Sequence, residues 1–407
     1  HYLAVATLGL GLLLAIVLSV GVLLAWQMFY AGPKLKDEQE RKQRIQQEAV
    51  QKGQQPGATP QAPGKTVPAT PGAAAPTAAP VAQATTREAS LKDSTRVAVE
   101  TPSVKGSIPL KGARIDDIVL TKYRETVDPK SPYVVLFSPS NAPNPYYAEY
   151  GWVAAAGTAQ PVPDRDTVWT QASGGTLTPQ SPVPLTWDNG KGLLFKRTIS
   201  VDNDYLFTVT DEVENKSGAE VTLHPYALLS RHGMPHVQGY YILHEGLIGV
   251  LGDQGLKEIT YSDVVKDGNS KSFKEKGGGW IGMTDKYWAA ALIPDQKVPF
   301  SANLEGSKNN GRERFQTDFT FNGLVIAPGA TGASKVNLFA GAKQVGIIEN
   351  YQNALGIKQF DLLIDWGWFW FLTRPFFKLL HYLSQLLGNY GLAVLAATVL
   401  VKAAFYP

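Results

Sequence analysis

The stretch 361–407 places the strongest constraint on the fold, because it has the composition of a segment that meets a lipid surface. It opens with a cluster of large aromatic side chains, a type that settles at the headgroup level of a bilayer. The cluster contains Trp366, Trp368, Phe369, Trp370 and Phe371. An aromatic cluster at this density predicts a membrane–water interface.

An amphipathic helix is predicted directly after the aromatic cluster, with Pro375 in its first turn, where a missing N–H costs nothing. Lys378, His381 and Gln385 share one face of this helix, and Gly388 with Asn389 ends it. Most amphipathic helices pack on a soluble core, but the neighbouring aromatic and apolar segments favour a helix lying on the membrane surface. The predicted interfacial residues are Trp366, Trp368, Trp370, Phe376, Leu379, Leu380, Leu383 and Leu387.

The apolar run Tyr390–Phe405 contains one charge, Lys402, and predicts a helix that crosses the membrane. Lys402 has two readings from the sequence. Its side chain can reach the aqueous boundary and anchor the helix, or it can point into a polar cavity. The residue pattern leaves both readings open.

A second membrane segment is predicted at the other end of the chain. The run Leu3–Trp26 carries no charge and would form a helix of about 36 Å, long enough for a hydrocarbon core of about 30 Å. A secretory signal peptide is the alternative. Signal peptides, however, have a shorter apolar region followed by a small-residue cleavage site, and this segment has neither feature. We therefore predict an uncleaved anchor over residues 1–31.

Residues 32–92 are predicted to be a polar helix followed by a disordered linker. The segment Lys52–Thr86 has seven prolines, four glycines and no aromatic residue. Such a composition buries too little apolar surface to offset the entropy of ordering the chain. The basic residues just after the anchor favour a cytoplasmic location for this flank by the positive-inside rule.

Residues 93–346 are predicted to form a large antiparallel β-domain. Alternation of apolar and polar residues marks Lys196–Val201 and Tyr205–Glu214, joined by a tight turn, and Trp280–Met283 and Tyr287–Ile293 form a second hairpin. The region is too long for a sandwich of about 100 residues, so two large stacked sheets are expected. A short helix over Asn350–Lys358 and the surface helix make up 347–388, and the second membrane helix covers 389–407.

Candidate catalytic and metal-binding residues are weak. The chain has no cysteine, and its net charge of +3 with no dense basic run does not favour nucleic acid. His224, His232, His236 and His244 lie within a short segment, but their spacing matches no helical metal motif. Asp361 and Asp365 could form an acid–base pair, although their position favours a solvating role. No catalytic residue, metal or cofactor is predicted.

Short motifs in the C-terminal stretch resemble the YidC family of bacterial membrane-protein insertases. They are D-W-G-W, P-x-F-x-L-L, G-N-Y-G, A-T-x-x-V-K and a closing Y-P, in the order found in that family. The resemblance implies a mainly β fold, a large periplasmic β-supersandwich flanked by transmembrane helices and an interfacial helix. It also implies that the N-terminus before the anchor is cytoplasmic, against the charge count.

The resemblance also suggests a role for the last helix. In the family, a basic residue at the position of Lys402 lines a hydrophilic groove, and Thr398 lies one helical turn earlier on the same side. Most members of the family have arginine at the position of Lys402. Lysine keeps the charge but lacks the planar guanidinium fork.

The function implied is a non-enzymatic insertase and chaperone of the bacterial inner membrane. Its expected partners are nascent membrane proteins, the Sec translocon with its accessory subunits, and the lipid bilayer. The alternative is a membrane-tethered carbohydrate-binding or sugar-epimerase-like β-domain that uses the histidine-rich strands. Because the chain starts at His1 and stops after an apolar run, we expect it to be part of a longer protein.

Overall fold

Strands are the most common regular element in the part of the chain that the computed structural model describes, as the sequence predicts. The structure describes residues 86–156, 160–235, 243–266, 271–275, 277–309, 311–367 and 369–405. Predictions for residues 1–85 therefore lie outside the described residues, as do those for His236 and Trp368.

The strands are numbered in chain order. The first ten are β1 (Arg96–Glu100), β2 (Val104–Pro109), β3 (Asp117–Arg124), β4 (Tyr133–Phe137), β5 (Tyr146–Ala154), β6 (Thr170–Gln171), β7 (Val183–Asp188), β8 (Leu193–Val201), β9 (Leu206–Asn215) and β10 (Val221–His232). The others are β11 (Gly246–Leu251), β12 (Gly255–Thr260), β13 (Lys271–Glu275), β14 (Gly279–Thr284), β15 (Trp288–Pro294), β16 (Phe300–Asn309), β17 (Arg312–Phe321), β18 (Leu324–Ile326) and β19 (Thr331–Ala342).

These strands form three antiparallel sheets. A four-stranded sheet has the order β1-β2-β3-β4, and a nine-stranded sheet has the order β12-β11-β14-β15-β19-β9-β8-β7-β6. A six-stranded sheet has the order β13-β16-β17-β10-β18, with β5 also paired to β10. The mainly β class is therefore confirmed.

The two hairpins predicted from alternation are both present. In the β8–β9 hairpin, Ile199 lies opposite Val209, and in the β14–β15 hairpin Ile281 lies opposite Leu292. The β8–β9 turn is fixed by the Asp202 carboxylate, whose Oδ1 accepts hydrogen bonds from the backbone N–H groups of Asp204 (2.9 Å) and Leu206 (3.0 Å). Aspartate favours this turn because its short side chain can pair with backbone groups two residues on.

One continuous hydrophobic core is shared by the sheets. Alternation explains this, since every second residue of a strand points to the same face. Trp280 of the nine-stranded sheet and Phe315 of the six-stranded sheet are fully buried in it. Two large sheets that share a core agree with the prediction, whereas the additional four-stranded sheet was not predicted.

One buried and one partly buried arginine join the layers of the β-domain. Arg197 of β8 donates from Nε and Nη2 to the Asp211 carboxylate (2.7 and 2.9 Å), and from Nη2 to the carbonyl of Tyr150 on β5 (2.9 Å). Arg231 of β10 donates from Nη1 to both oxygens of Asp285, in the β14–β15 turn, at 2.7 and 2.9 Å. Both arginines therefore link the six-stranded sheet to the nine-stranded sheet.

Five α-helices accompany the strands in the described part of the chain. They are α1 (Arg87–Ser90), α2 (Tyr261–Lys266), α3 (Val345–Leu355), α4 (Trp370–Leu387) and α5 (Tyr390–Ala404).

Two predicted helix starts are wrong. The helix placed at Asn350–Lys358 begins at Val345 and ends before Gly356, whose positive φ of 63° suits glycine. The surface helix begins at Trp370, five positions before Pro375, so the proline lies in the second turn. The Thr373 hydroxyl, which donates to the carbonyls of Trp366 (2.8 Å) and Phe369 (3.2 Å), stabilises this earlier start.

Candidate functional site

The hairpin of α4 and α5 carries almost all of the predicted site residues. Gly388 adopts a left-handed conformation (φ 63°) and ends α4, and the Asn389 side chain caps α5 by accepting from the N–H groups of Gly391 (2.8 Å) and Leu392 (3.2 Å). Glycine and asparagine suit these two positions because each satisfies the backbone where one helix stops and the next begins.

One side of α4 is held against the β-domain by charges. Arg374 pairs with Glu349 of α3 (3.0 Å) and with Asp361 (2.7 Å), and Lys378 also pairs with Glu349 (3.0 Å). Burial alone would raise the pKa of the Glu349 carboxyl, but hydrogen bonds from Lys378 and Arg374 hold the pKa below its usual value. We call these four residues the anchor cluster.

The opposite side of α4 packs on α5. Arg374 and Leu383 are nine positions apart, which is half a turn beyond two full turns and places them on opposite faces. Leu383, with Leu379 and Leu380, contacts the small residues Ala393, Ala396 and Ala397 of α5. The apolar face predicted from the sequence is therefore partly used within the hairpin.

A large apolar surface remains exposed on the two helices. Its members include three predicted interfacial residues, Trp370, Phe376 and Leu387. Soluble proteins rarely expose apolar patches beyond a few hundred Å2, and larger patches mark contacts with proteins or membranes. The exposed apolar side chains are Phe369, Trp370, Phe371, Leu372, Phe376, Phe377, Tyr382, Leu386, Leu387, Tyr390, Leu392, Val394, Leu395, Val399, Leu400 and Phe405.

Trp366 differs from the other aromatic residues of the cluster, because it lies between α4 and the β-domain. Its ring contacts Phe377 edge-on (5.5 Å between ring centres), and the Arg374 guanidinium lies 5.9 Å from it. Trp366 is half-buried and forms part of the joint between the helix and the domain.

Thr398 and Lys402 are both exposed on α5, on the side that faces away from α4. Lys402 lies nine positions after Ala393, which contacts α4, so the two residues are on opposite faces. The Thr398 hydroxyl donates to the carbonyl of Val394 (2.8 Å). The structure brings the two residues to one face, and their predicted role in a groove stays a prediction.

None of the helices in the described residues combines the length and the apolar character that crossing a membrane requires.

The described histidines each have a local partner. His224 Nδ1 lies 3.3 Å from the carbonyl of Phe321, His232 Nε2 lies 3.1 Å from the Ser230 hydroxyl, and His244 Nε2 lies 3.1 Å from the carbonyl of Leu247. Burial and the charges of two nearby arginines, Arg314 and Arg312, lower the pKa of His232 to about 4. Among the described residues, no group of three or more histidine and acidic side chains is placed to hold a metal ion.

Asp361 and Asp365 hold the chain segment between α3 and α4. Asp361 pairs with Arg374 of the anchor cluster, and Asp365 accepts hydrogen bonds from the N–H groups of His244 (2.8 Å) and Gly367 (2.7 Å). With these partners, the two carboxylates fix the position of α4 relative to the β-domain.

Sequence reasoning identified Asp361 and Lys378 but missed the ion pairs that join them in the anchor cluster. Glu349 falls at the edge of a helix whose start was misplaced, and Arg374 was not singled out. An arginine inside an otherwise aromatic and apolar run was the available signal, because a charge there needs a partner.

A groove lies between α4 and the β-domain, and we call it the helix groove. It has a volume of about 980 Å3. Lys343 and Gln344 line one end, and Trp366, Phe377 and Tyr382 contribute aromatic walls. Burial lowers the pKa of Lys343 to about 8, although Asp285, Asp365 and Glu245 oppose this shift.

Comparison with known proteins identifies close relatives. The family description "YidC periplasmic domain" matches residues 96–379. The membrane protein insertase YidC of Methylobacterium radiotolerans is 49% identical over 403 residues, covering 97% of this chain and 64% of that protein. The membrane protein insertase YidC of Nitrobacter hamburgensis is 51% identical over 404 residues, with the same coverage. The chain thus spans about 64% of the length of these curated relatives.

Solved structures show a weaker likeness. A galactose mutarotase related enzyme from Lactobacillus acidophilus matches at a TM-score of 0.40 and 10% identity, over 60% of this chain and 97% of that chain. A galactose mutarotase-like protein from Lactobacillus casei matches at a TM-score of 0.41 and 10% identity, over 60% of this chain and 99% of that one. Likeness at this level carries no argument about activity or ligand.

Proposed function

Because the chain belongs to the YidC family of membrane-protein insertases, we propose that it helps newly made proteins to insert and fold in the bacterial inner membrane. The observation that carries the proposal is the exposed apolar surface of α4 and α5, held on a large β-domain by the anchor cluster. The relatives are named as insertases, not as enzymes.

In this proposal α4 lies along the outer surface of the membrane. Its charged side faces the β-domain, and its inner face packs on α5. The exposed apolar side chains outside the helix groove enter the boundary between headgroups and acyl chains. Trp370, Phe376 and Leu387 would make these lipid contacts. Leu379, Leu380 and Leu383 would act by joining the two helices.

The segment that starts with α5 would then enter the membrane, and residues 1–31 would form a second span. The β-domain would lie in the periplasm, and the working protein would cross the membrane several times. Lys402 and Thr398 would line a hydrated groove on the far side of α5 from α4. A lysine in such a groove keeps its charge and can attract acidic or polar segments of a substrate.

The partners proposed are nascent membrane proteins, alone or delivered by the Sec translocon and its accessory subunits. A polar groove would let a short hydrophilic segment cross part of the bilayer without leaving water-like surroundings. This is a chaperone role based on solvation, with no covalent step.

The test is rescue of a bacterial strain depleted of its own insertase by the full-length protein. Replacing Leu386, which is 67% exposed on α4, with aspartate should abolish rescue, because a charge would enter the lipid boundary. The matched control is Val325→Asp, at an apolar position of the β-domain that is 57% exposed, and it should rescue fully. Equal rescue by both variants at equal protein levels would contradict the proposed membrane contact.

A further inference from the structure

A second groove lies beside the helix groove and is rich in aromatic side chains. It has a volume of about 760 Å3, and we call it the aromatic groove. Tyr123, Tyr287 and Trp288 line it, with the Trp288 ring 5.0 Å from Tyr123 and 6.0 Å from Tyr287, both edge-on. Val134 of β4 forms another wall. The lining combines these aromatic and apolar side chains with three charged residues, Arg124, Glu125 and Lys343.

The two grooves share a border. Lys343 and Gln344, which lie between β19 and α3, line both of them. Gln344 is held in place by hydrogen bonds from its Nε2 to the hydroxyls of Tyr123 (3.0 Å) and Tyr205 (3.4 Å). The aromatic groove is therefore adjacent, across this fixed border, to the groove that runs along the proposed membrane helix.

The strand β4, next to the aromatic groove, has an open edge. Within the described residues it pairs with β3 alone, and only its flanking residue Ser138 bonds elsewhere, to Tyr146. Two side chains of β4, Tyr133 and Val135, are exposed, the latter by 40%. Val135 is apolar, and the Tyr133 ring lies against the Arg124 guanidinium of β3, 4.2 Å from the ring centre. Within the described residues, the edge therefore presents backbone groups without a strand partner beside one aliphatic and one aromatic side chain.

Comparison with the other edge strands shows that this edge is unusual. Proteins commonly protect edge strands with charged side chains, because an apolar edge can pair with another chain. Among the described edge strands of at least five residues, β1, β12 and β13 each carry at least two charged residues, and β5, which pairs with β10 alone, carries the single buried Glu149. The strand β4 carries no charged residue. An edge without such protection suits a strand that is added from outside.

We propose that the β4 edge, the aromatic groove and the helix groove form one track for an extended polypeptide, namely the outer segment of a membrane-protein substrate. The inference rests on the proposed function. An extended chain is the occupant that uses an open backbone edge, since its own N–H and C=O groups complete the ladder. Aromatic walls tolerate many sequences, as a protein with varied substrates requires. The adjacency of the track to α4 brings this segment to the membrane surface.

The test uses the full-length protein with the photocrosslinker p-benzoylphenylalanine at single positions. Position 287, in the aromatic groove, is 55% exposed, and position 382, in the helix groove, is 64% exposed. The matched control is position 325, on β18, which is 57% exposed and lines neither groove. The probe is a ribosome-stalled nascent chain with one apolar segment and a short hydrophilic outer segment.

We expect crosslinks to the outer segment from positions 287 and 382, and none from position 325. Crosslinks from 382 alone, adducts with lipid only, or equal crosslinking at all three positions would overturn the track. Protease protection of the same nascent chain measures insertion separately. Normal insertion without a crosslink at 287 rejects the track and leaves the proposed function standing, whereas absent insertion rejects the proposed function.

A second variant tests the strand edge itself. Val135→Lys places a charge on β4 without entering the core, and it should abolish the crosslink from position 287 while the circular dichroism and the unfolding midpoint stay unchanged. Val325→Lys, the matched change on β18, should leave the crosslink intact. An undiminished crosslink in the Val135→Lys variant would show that no strand is added at β4.

Discussion

The β-domain and the α4–α5 hairpin differ in where their charged and apolar side chains lie. The β-domain buries Arg197 with its partner Asp211 in an apolar core and partly buries the pair of Arg231 and Asp285. The hairpin exposes its apolar side chains, and its ion pairs are gathered at the anchor cluster on the side of the domain. The β-domain thus buries its apolar side chains by itself, whereas the exposed apolar side chains of the hairpin are buried only when lipid or protein covers them.

Breaking a buried ion pair should affect the β-domain most. Asp211→Asn leaves the guanidinium of Arg197 without its counter-charge in a site with almost no exposure, and the loss in unfolding free energy should be about 3–5 kcal/mol. Urea denaturation followed by circular dichroism measures this loss. Removing one partner is costly because the other charge stays buried.

The matched control lies on the same pair of strands. Lys196 of β8 pairs with Glu214 of β9, but both side chains are partly exposed. Glu214→Gln should therefore cost at most about 1 kcal/mol, as is typical of surface ion pairs. Similar losses in the two variants would show that the buried pair of Arg197 and Asp211 does not hold the β-domain together.

Loosening the anchor cluster should affect the hairpin and leave the β-domain intact. Arg374→Ala removes both carboxylate contacts, so hydrogen exchange of the α4 amides should accelerate about tenfold, while β10 amides keep their protection. Lys378→Gln, which removes a single contact, is the control and should have a smaller effect. Faster exchange in β10 would contradict the separation of the two regions.

The pH dependence of the anchor cluster follows from Glu349. Its pKa is held below 4.5 in the folded state, so the pairing stabilises the joint above that value and is lost only as the pH falls through the lowered pKa. Exchange rates of the α4 amides relative to β10 should therefore stay constant from pH 7 to pH 5. A change within that range would show that another group controls the joint.

The sequence predicted the strands of this protein better than its helix starts. The β8–β9 and β14–β15 hairpins follow from period-two alternation and turn residues, which are local signals. The starts of α3 and α4 do not, because Val345 and Trp370 begin helices without a side chain that caps the N-terminus. Pro375 was a misleading marker, since the Thr373 hydroxyl bonds support a turn before it.

The candidate site was predicted in its composition but not in its contacts. The amphipathic spacing in α4 identifies Leu379, Leu380 and Leu383 as apolar positions, yet spacing does not tell whether lipid or α5 covers them. Their contacts depend on how α5 folds back after Gly388. Likewise, the partners of Arg374 lie 13 and 25 positions earlier in the chain. One sequence indicates that this charge needs a partner but not which residue supplies it.

The smallest expected effect concerns a buried carboxylate of the β-domain. This carboxylate has amide partners, and no cationic side chain pairs with it within the described residues. Asp318 accepts hydrogen bonds from the amides of Gln316 and Asn303 (both 2.8 Å), and burial raises its pKa to about 6. Because this pKa lies above the ordinary value of 3.8, the folded state binds the extra proton between pH 6 and pH 3.8. The stabilisation of the fold by the protonated Asp318 carboxyl is therefore complete below pH 3.8, and it is lost as the pH rises through 6.

Asp318→Asn should raise the unfolding free energy at pH 7 by about 1 kcal/mol, since it removes a desolvated charge but leaves one amide without its acceptor. The gain should shrink between pH 7 and pH 5, because the native carboxyl becomes protonated there. Urea midpoints at both pH values measure this difference, and Glu220→Gln at an exposed position is the control.

His232 acts in the opposite sense, because its lowered pKa makes acid destabilising between pH 6.5 and about 4. The variant should thus become more acid-sensitive than the parent. A gain that persists unchanged at pH 5 would mean that the Asp318 carboxyl is neutral or paired at both pH values, and that the β-domain does not hold an unpaired charge.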